Sequence, residues 1–184
     1  MQTFADATVP RPMVSREGRE KQRYSASGAR LVAGVVALSR DKTKVLLITS
    51  SARPDKFVMP KGGYETDEDS PEAAALREAW EEAGIEGKIS TSLGVIEDMR
   101  PAKTFTGVSD PGLGVGDWEH GNGLPPRSEF YFFEMTVEKE AEEWPESFRR
   151  VRRWVGYSEA CANLKSRPEL LEALRRSSIV KDAV

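Results

Sequence analysis

Glu78, Glu81 and Glu82 stand beside Arg77 at helical spacing, and that spacing decides what chemistry the chain can do. At about 100° per residue the three glutamates share a face, with the usual i to i+3 or i+4 separation of about 5–6 Å. Carboxylates that close repel one another unless a cation sits among them. No His or Cys lies nearby, and an oxygen-only donor set favours a hard ion, Mg²⁺ or Mn²⁺, over Zn²⁺. Ions of that kind work in phosphate chemistry. The competing reading is a solvated helix face paired by Arg77 and Lys88, the ordinary meaning of a charge run.

The surrounding residues specify the helix that would carry these groups. Ser70 can cap its N-terminus, Pro71 suits the first helical position, Glu72 favours the positive end of the dipole, and Gly84 ends it. Leu76, Ala79, Trp80 and Ala83 form an apolar stripe, so one face is expected to pack while the other presents the carboxylates. A glycine-led turn, Gly62-Gly63, comes before it.

Gly62, five residues, Glu68, and then Arg77-Glu78-Ala79-Trp80-Glu81-Glu82-Ala83-Gly84-Ile85 together resemble the Nudix box. In one respect the chain departs from it. Eight residues rather than seven separate Glu68 from Arg77. The insertion falls in the Asp69-Ser70-Pro71 turn, before the helix begins, where an extra residue costs little. The helix keeps its register, and the role of Glu68 is left open.

Composition bounds the rest. With 184 residues, 39% hydrophobic and 31% charged, the chain reads as one soluble domain with a sizeable core. It has no apolar run near the roughly 20 residues of a membrane span and no signal-peptide stretch at its start. The expected location is therefore the cytoplasm or the nucleus. The single cysteine, Cys161, excludes an internal disulfide and reads as helix packing. The single histidine, His120, has no second histidine to form a ligand pair and is assigned no chemistry.

Residues 1–27 are polar, basic and dotted with proline, and are expected to form a flexible tail ahead of a domain spanning 28–184. Leu31–Ser39 and Val45–Thr49 are β-branched runs around a polar loop and read as a hairpin. Phe57–Met59, Ile89–Glu97 and Glu129–Val137 are further strand candidates, while Ser158–Leu164 and Pro168–Arg175 have helical spacing. This order predicts an α/β fold, a mixed sheet sandwiched between helices. Residues 104–126, with six glycines, read as a long surface loop that is either a lid or an insertion.

The resemblance reaches beyond the box. Leu46–Ser51, Phe57–Gly63, Val95–Pro101 and Arg167–Leu171 look like the diphosphoinositol polyphosphate phosphohydrolases, a Nudix subfamily that also cleaves diadenosine polyphosphates. It implies that Glu78 and Glu82 hold Mg²⁺ together with a main-chain carbonyl at the Lys61-Gly62 turn. Glu81 would then take a proton from the attacking water, and Arg77 would orient a neighbouring glutamate. Glu81 and Glu82 could exchange roles, because sequence sets their face and no distances. The resemblance further implies that Arg30, Ser50, Ser51, Arg53, Lys61, Arg100, Lys103, Arg150, Arg152 and Arg167 bind substrate, Arg152 on the alignment of Trp154 alone.

The residues give independent support for a polyanionic substrate. A net charge of −3 attracts nothing globally, so binding must come from local cations, and arginine forks suit crowded phosphates. Aromatics are few and fall mostly in strands, so a base-stacking site is less supported, and nucleic acid is not the expected main partner. The expected partner is a small polyphosphorylated molecule and the expected state a monomer. Two other readings stay open: a Nudix pyrophosphatase acting on ADP-ribose or capped RNA, and an inositol pyrophosphate sensor without catalysis.

Overall fold

The computed structural model describes residues 11–98 and 127–182. Arg100, Lys103, His120 and the glycine-rich stretch 104–126 lie outside the described residues.

The elements run β1 (Arg30–Leu38), β2 (Val45–Thr49), β3 (Phe57–Val58), β4 (Lys61–Gly63), α1 (Pro71–Ala83), β5 (Ile85–Asp98), β6 (Ser128–Glu140), β7 (Arg152–Val155), α2 (Tyr157–Leu164) and α3 (Pro168–Arg176). The sheet has the strand order β3-β2-β1-β6-β5, with β4 also pairing β1 and β7 pairing β2. It is mixed: β1 and β6 run parallel, from Arg30 opposite Ser128 to Leu38 opposite Thr136, and the other pairings are antiparallel.

Successive strand residues face opposite sides of a sheet. Val32–Leu38 and Val45–Ile48 are buried without a break, so both faces of the central strands are covered. Helix α1 packs on β1, β4, β5 and β6, whereas α2 packs on β2 and β3 and α3 on β5. The α/β fold read from the sequence is the one observed. The hairpin is present too, closed by Leu38 opposite Val45.

Strands β4 and β7 have no counterpart in the sequence reading. One is three residues with two glycines and the other opens with two arginines, so neither has an apolar alternation to reveal it. Among the described residues, no helix is long and apolar enough to cross a membrane.

The segment read as a flexible basic tail lies against the domain from residue 11 onward. Gln22 bridges to Glu65 and Tyr24 to Arg30. The Gln22 amide donates to the main-chain oxygens of Arg23, Leu31 and Tyr64 at 2.8, 2.7 and 3.2 Å. Arg23 donates to three carbonyls of the loop after β4, those of Glu65, Thr66 and Glu68. The basic residues that made it look like a tail are the ones that attach it, because the loop they meet is rich in acceptors.

Candidate active site

Helix α1 forms as its residues dictate. The Ser70 hydroxyl accepts the Ala73 N–H at 3.1 Å, Pro71 opens the first turn, and Gly84 closes the helix at φ 61°, in the left-handed region where glycine carries no penalty. Glycine is required at 84 for a second reason, since a Cβ there would lie 2.7 Å from the Trp144 ring. The carboxylate face is not a solvated one. Glu78 and Glu81 are 8% and 6% exposed, so the face opposite the apolar stripe is covered as well.

Strand β4 brings the glycine turn over that face by pairing with β1, Gly62 opposite Ala33 and Gly63 opposite Val32. A Cβ on Gly62 would stand 2.1–2.3 Å from the Glu78 carboxylate, so Glu78 lies directly against the main chain at this point. No side chain larger than hydrogen would leave that space.

Arg77 ties the glutamates together. Its Nε and Nη2 donate to Glu68 at 2.7 and 3.2 Å, its Nη1 to Glu78 at 2.8 Å and Glu81 at 3.1 Å, and its Nη2 to the Gly63 carbonyl at 2.8 Å. Burial works against the guanidinium charge, but Glu68, Glu78 and Glu81 outweigh it, so the pKa lies above the ordinary arginine value. Glu68 therefore keeps a place in the site despite the insertion: the extra residue is absorbed in the turn, and a forked pair with Arg77 forms across it.

Glu82 is held from the other side. The Lys61 N–H donates to it at 2.9 Å, and Arg150 donates from Nη2. Arg150 also reaches Glu146 at 2.7 Å and the Thr49 carbonyl at 2.7 Å, with its side chain 4% exposed. The sequence reading made Arg150 a substrate ligand. The structure gives it three protein partners inside the domain, where it neutralises Glu82 and Glu146. Arg152 differs also: it donates to the carbonyls of Ala83, Gly84 and Ala141 and lies 4.1 Å from the Trp144 ring centroid, bracing the end of α1 away from the cleft.

These placements perturb the glutamates. Burial, then the neighbouring Glu82, pushes the Glu78 carboxyl up to about 8. Burial raises Glu82 and Glu81 as well, against the opposing charges of Lys61 and Arg150 in one case and Arg77 in the other. Burial lowers the Lys61 amine, helped by Arg167 and Arg150. Buried carboxylates whose pKa is raised by burial and by one another's charge are relieved by a cation.

Among the described residues, no three acidic, histidine or cysteine side chains converge as a ready metal cage, and Arg77 and Arg150 donate to oxygens of Glu78, Glu81 and Glu82. The donor chemistry nevertheless fits a hard divalent ion: carboxylate oxygens of Glu78 and Glu82, a glycine main chain beside them, and the space that only Gly62 leaves. An ionised carboxylate has about four lone-pair positions, so an arginine bond does not use up its capacity.

A cleft of about 310 Å³ opens over these groups, and Arg30, Ser51, Lys61, Gly62, Arg77, Glu78, Glu81, Glu82 and Arg150 all line it. Arg16, Glu146 and Arg149 line it too, and the sequence reading gave no role to the first two. Glu146 was legible only as one acidic residue in an acidic stretch. A second cavity of about 360 Å³ holds Ser50, Arg53 and Arg167 from the sequence reading, together with Lys56 and Arg127, which it did not assign. Consecutive residues, Ser50 and Ser51, belong to the two cavities.

A family model described as the NUDIX domain matches residues 28–176 of this chain. The chain belongs to the Nudix family. It is 38% identical over 169 residues to Nudix hydrolase 21, chloroplastic, of Arabidopsis thaliana, covering 88% of this chain and 74% of that protein. It is 36% identical over 101 residues to diphosphoinositol polyphosphate phosphohydrolase 3-alpha of Mus musculus, covering 54% of this chain and 61% of the relative. A solved NUDIX hydrolase from Nitrosomonas europaea superposes with a TM-score of 0.57 at 17% identity, over 80% of this chain and 87% of that one. That likeness speaks to the Nudix fold.

Proposed function

We propose that this Nudix protein hydrolyses phosphoanhydride bonds in diphosphoinositol polyphosphates and in dinucleoside polyphosphates such as diadenosine polyphosphates, with Mg²⁺ or Mn²⁺ as cofactor. The observation that carries the substrate class is the second cavity. Arg53, Lys56, Arg127 and Arg167 line it and, among the described residues, no carboxylate does, so it favours an anion carrying several phosphates. Arg167 is bonded to the buried Glu169 at 2.5 Å, which fixes its guanidinium beside the cavity.

In this reading Glu78 and Glu82 hold the cation at the Gly62 turn. When bound, Mg²⁺ supplies charge neutralisation at the phosphoryl oxygens. With a diphosphoinositol polyphosphate, Glu81 accepts a proton from water, whose oxygen bonds to the β-phosphorus while the bridging P–O bond breaks. Inorganic phosphate leaves, and the ring keeps a monophosphate. With a diadenosine polyphosphate the bond broken would be an internal anhydride. Arg77 keeps Glu68, Glu78 and Glu81 in register throughout. The intact set of glutamates supports a hydrolase over a binding-only sensor.

The test is phosphate release from a diphosphoinositol pentakisphosphate with Mg²⁺, comparing the natural chain with Glu81→Gln. Release that disappears in the variant supports the assignment. No release by either protein overturns the inositol substrate and turns attention to ADP-ribose, diadenosine polyphosphates and capped RNA.

A further inference from the structure

Residues 11–23 precede the part of the chain that matches the family domain, yet they run over α1, touching Trp80 on its apolar stripe and Glu81 on its carboxylate face. The Pro12 carbonyl accepts the Trp80 indole N–H at 2.8 Å, and the Arg11 guanidinium lies 5.6 Å from the Trp80 ring centroid. Lys21 pairs with Asp67 at 2.8 Å, and Thr66 N–H donates to the Lys21 carbonyl at 2.7 Å. The Gln22 side-chain oxygen accepts the Arg30 Nε–H at 2.7 Å, which ties the segment to a cation lining the cleft. Contacts at 11–12 and at 21–23 thus pin both ends of the segment.

Between those pins, Arg16 meets the site. Its main-chain N–H donates to Glu81 Oε2 at 3.2 Å. Its guanidinium bonds Glu65 at 2.5 Å and Asp67 at 2.8 Å, both in the loop that follows β4. The side chain therefore clamps the main chain in the position from which it reaches Glu81. Arg77 donates to the same Oε2 at 3.1 Å. Among the described residues, both donors on Glu81 fall on Oε2, and none falls on Oε1.

A carboxylate bonded on one oxygen alone is fixed in rotation and keeps the lone pairs of the other oxygen for a water. A second carboxylate-binding donor from outside the helix supplies what Arg77 alone does not, a fixed plane for the group. We propose that residues 11–23 are a strap belonging to the active site, and that Arg16 is a positioning residue that orients Glu81 through its main-chain N–H. The proposal rests on the reading that Glu81 accepts the proton.

A pure substrate-binding role for Arg16 would act on KM, whereas orientation of a proton acceptor acts on kcat. In the full chain, Arg16→Pro removes the N–H and the clamp together, while Arg16→Ala keeps the N–H and loses the clamp. Residues 11–18 form no helix or strand, so neither change interrupts a sheet or helix, and equal melting temperatures are expected. The expected result is a fall in kcat of about tenfold or more for Arg16→Pro, a smaller fall for Arg16→Ala, and KM within about twofold in both. An unchanged kcat in Arg16→Pro, or a loss confined to KM, overturns the proposal.

A readout independent of turnover separates this inference from the hydrolase reading. The Arg16 amide should exchange slowly with solvent in the natural chain and at the free-chain rate in Glu81→Ala. Free-chain exchange in the natural protein overturns the strap whatever the substrate. Inactivity of the natural protein on every phosphoanhydride, with the amide still protected, overturns the hydrolase reading and with it the proton-accepting purpose of the contact.

Discussion

Replacing Gly62 by alanine should disable the site while leaving the fold standing. The added Cβ would lie 2.1 Å from one Glu78 oxygen and 2.3 Å from the other, where ordinary contact begins near 3.4 Å. The Glu78 carboxylate must therefore withdraw by about 1 Å. The glycine does not have the positive φ that would strain an alanine, and the atoms met belong to the end of a flexible side chain. The backbone pairing of β4 with β1 is then undisturbed, and the melting temperature should change by only a few degrees. A displacement of about 1 Å at a reacting centre costs about a hundredfold in rate, or roughly 2.7 kcal/mol in transition-state stabilisation. Kinetics in excess Mg²⁺ give kcat/KM, and titration calorimetry with Mg²⁺ gives the affinity, which should fall as well. A double-mutant cycle sharpens the inference: in a Glu78→Gln background, where the proposed metal ligand is already lost, Gly62→Ala should cost little more. A Gly62→Ala protein with native kcat/KM and native Mg²⁺ affinity would refute the argument that Glu78 works from this cradle.

The raised Glu78 carboxyl sets a pH dependence in the absence of metal. Its folded value of about 8 lies above the ordinary 4.5, so its stabilising contribution is complete below about 4.5 and is lost as pH rises toward 8. Melts in a chelator should therefore decline across that window, Glu78→Gln should flatten the decline, and a flat natural profile would sink the idea. Arg150→Ala removes one of the two cations facing each of Glu82 and Glu146, leaving Lys61 and Arg149, so denaturant unfolding should show a loss at the low end for a broken buried pair, about 3 kcal/mol; a loss below about 1 kcal/mol would mean that the buried pair is not coupled. Arg53→Ala combined with Lys56→Ala should raise KM for an inositol pyrophosphate about tenfold with kcat nearly constant. An unchanged KM would remove the second cavity from substrate binding.

Local chemistry made much of this protein readable. Helix α1 carries its own start and stop, Ser70 and Pro71 at one end and Gly84 at the other, and both caps form as expected. The hairpin of β1 and β2 follows from two β-branched runs with a polar loop between them. The boundaries of α2 and α3 fall within a residue of the helical spacing. Glu78, Glu81, Glu82 and Arg77 share one cleft because 3.6-residue periodicity on a single helix leaves them nowhere else to go.

Contacts distant in sequence were of another kind. Arg150 and Arg152 are two residues apart, yet one enters the core beside Glu82 and the other braces the Gly84 end of α1. On one strand, residues two apart would face the same side; they part because Arg150 lies in the irregular stretch ahead of β7, while Arg152 is the first β7 residue paired with β2. Arg16 reaches Glu81 across 65 positions, and no local pattern records a main-chain N–H aimed at a carboxylate. By itself the sequence determined the helix, its carboxylates and the family of fold, since propensity, capping and periodicity act within a few residues. The tertiary structure alone decided which arginines neutralise the site and which line the second cavity, because that depends on burial and on partners that come together only when the sheet has closed.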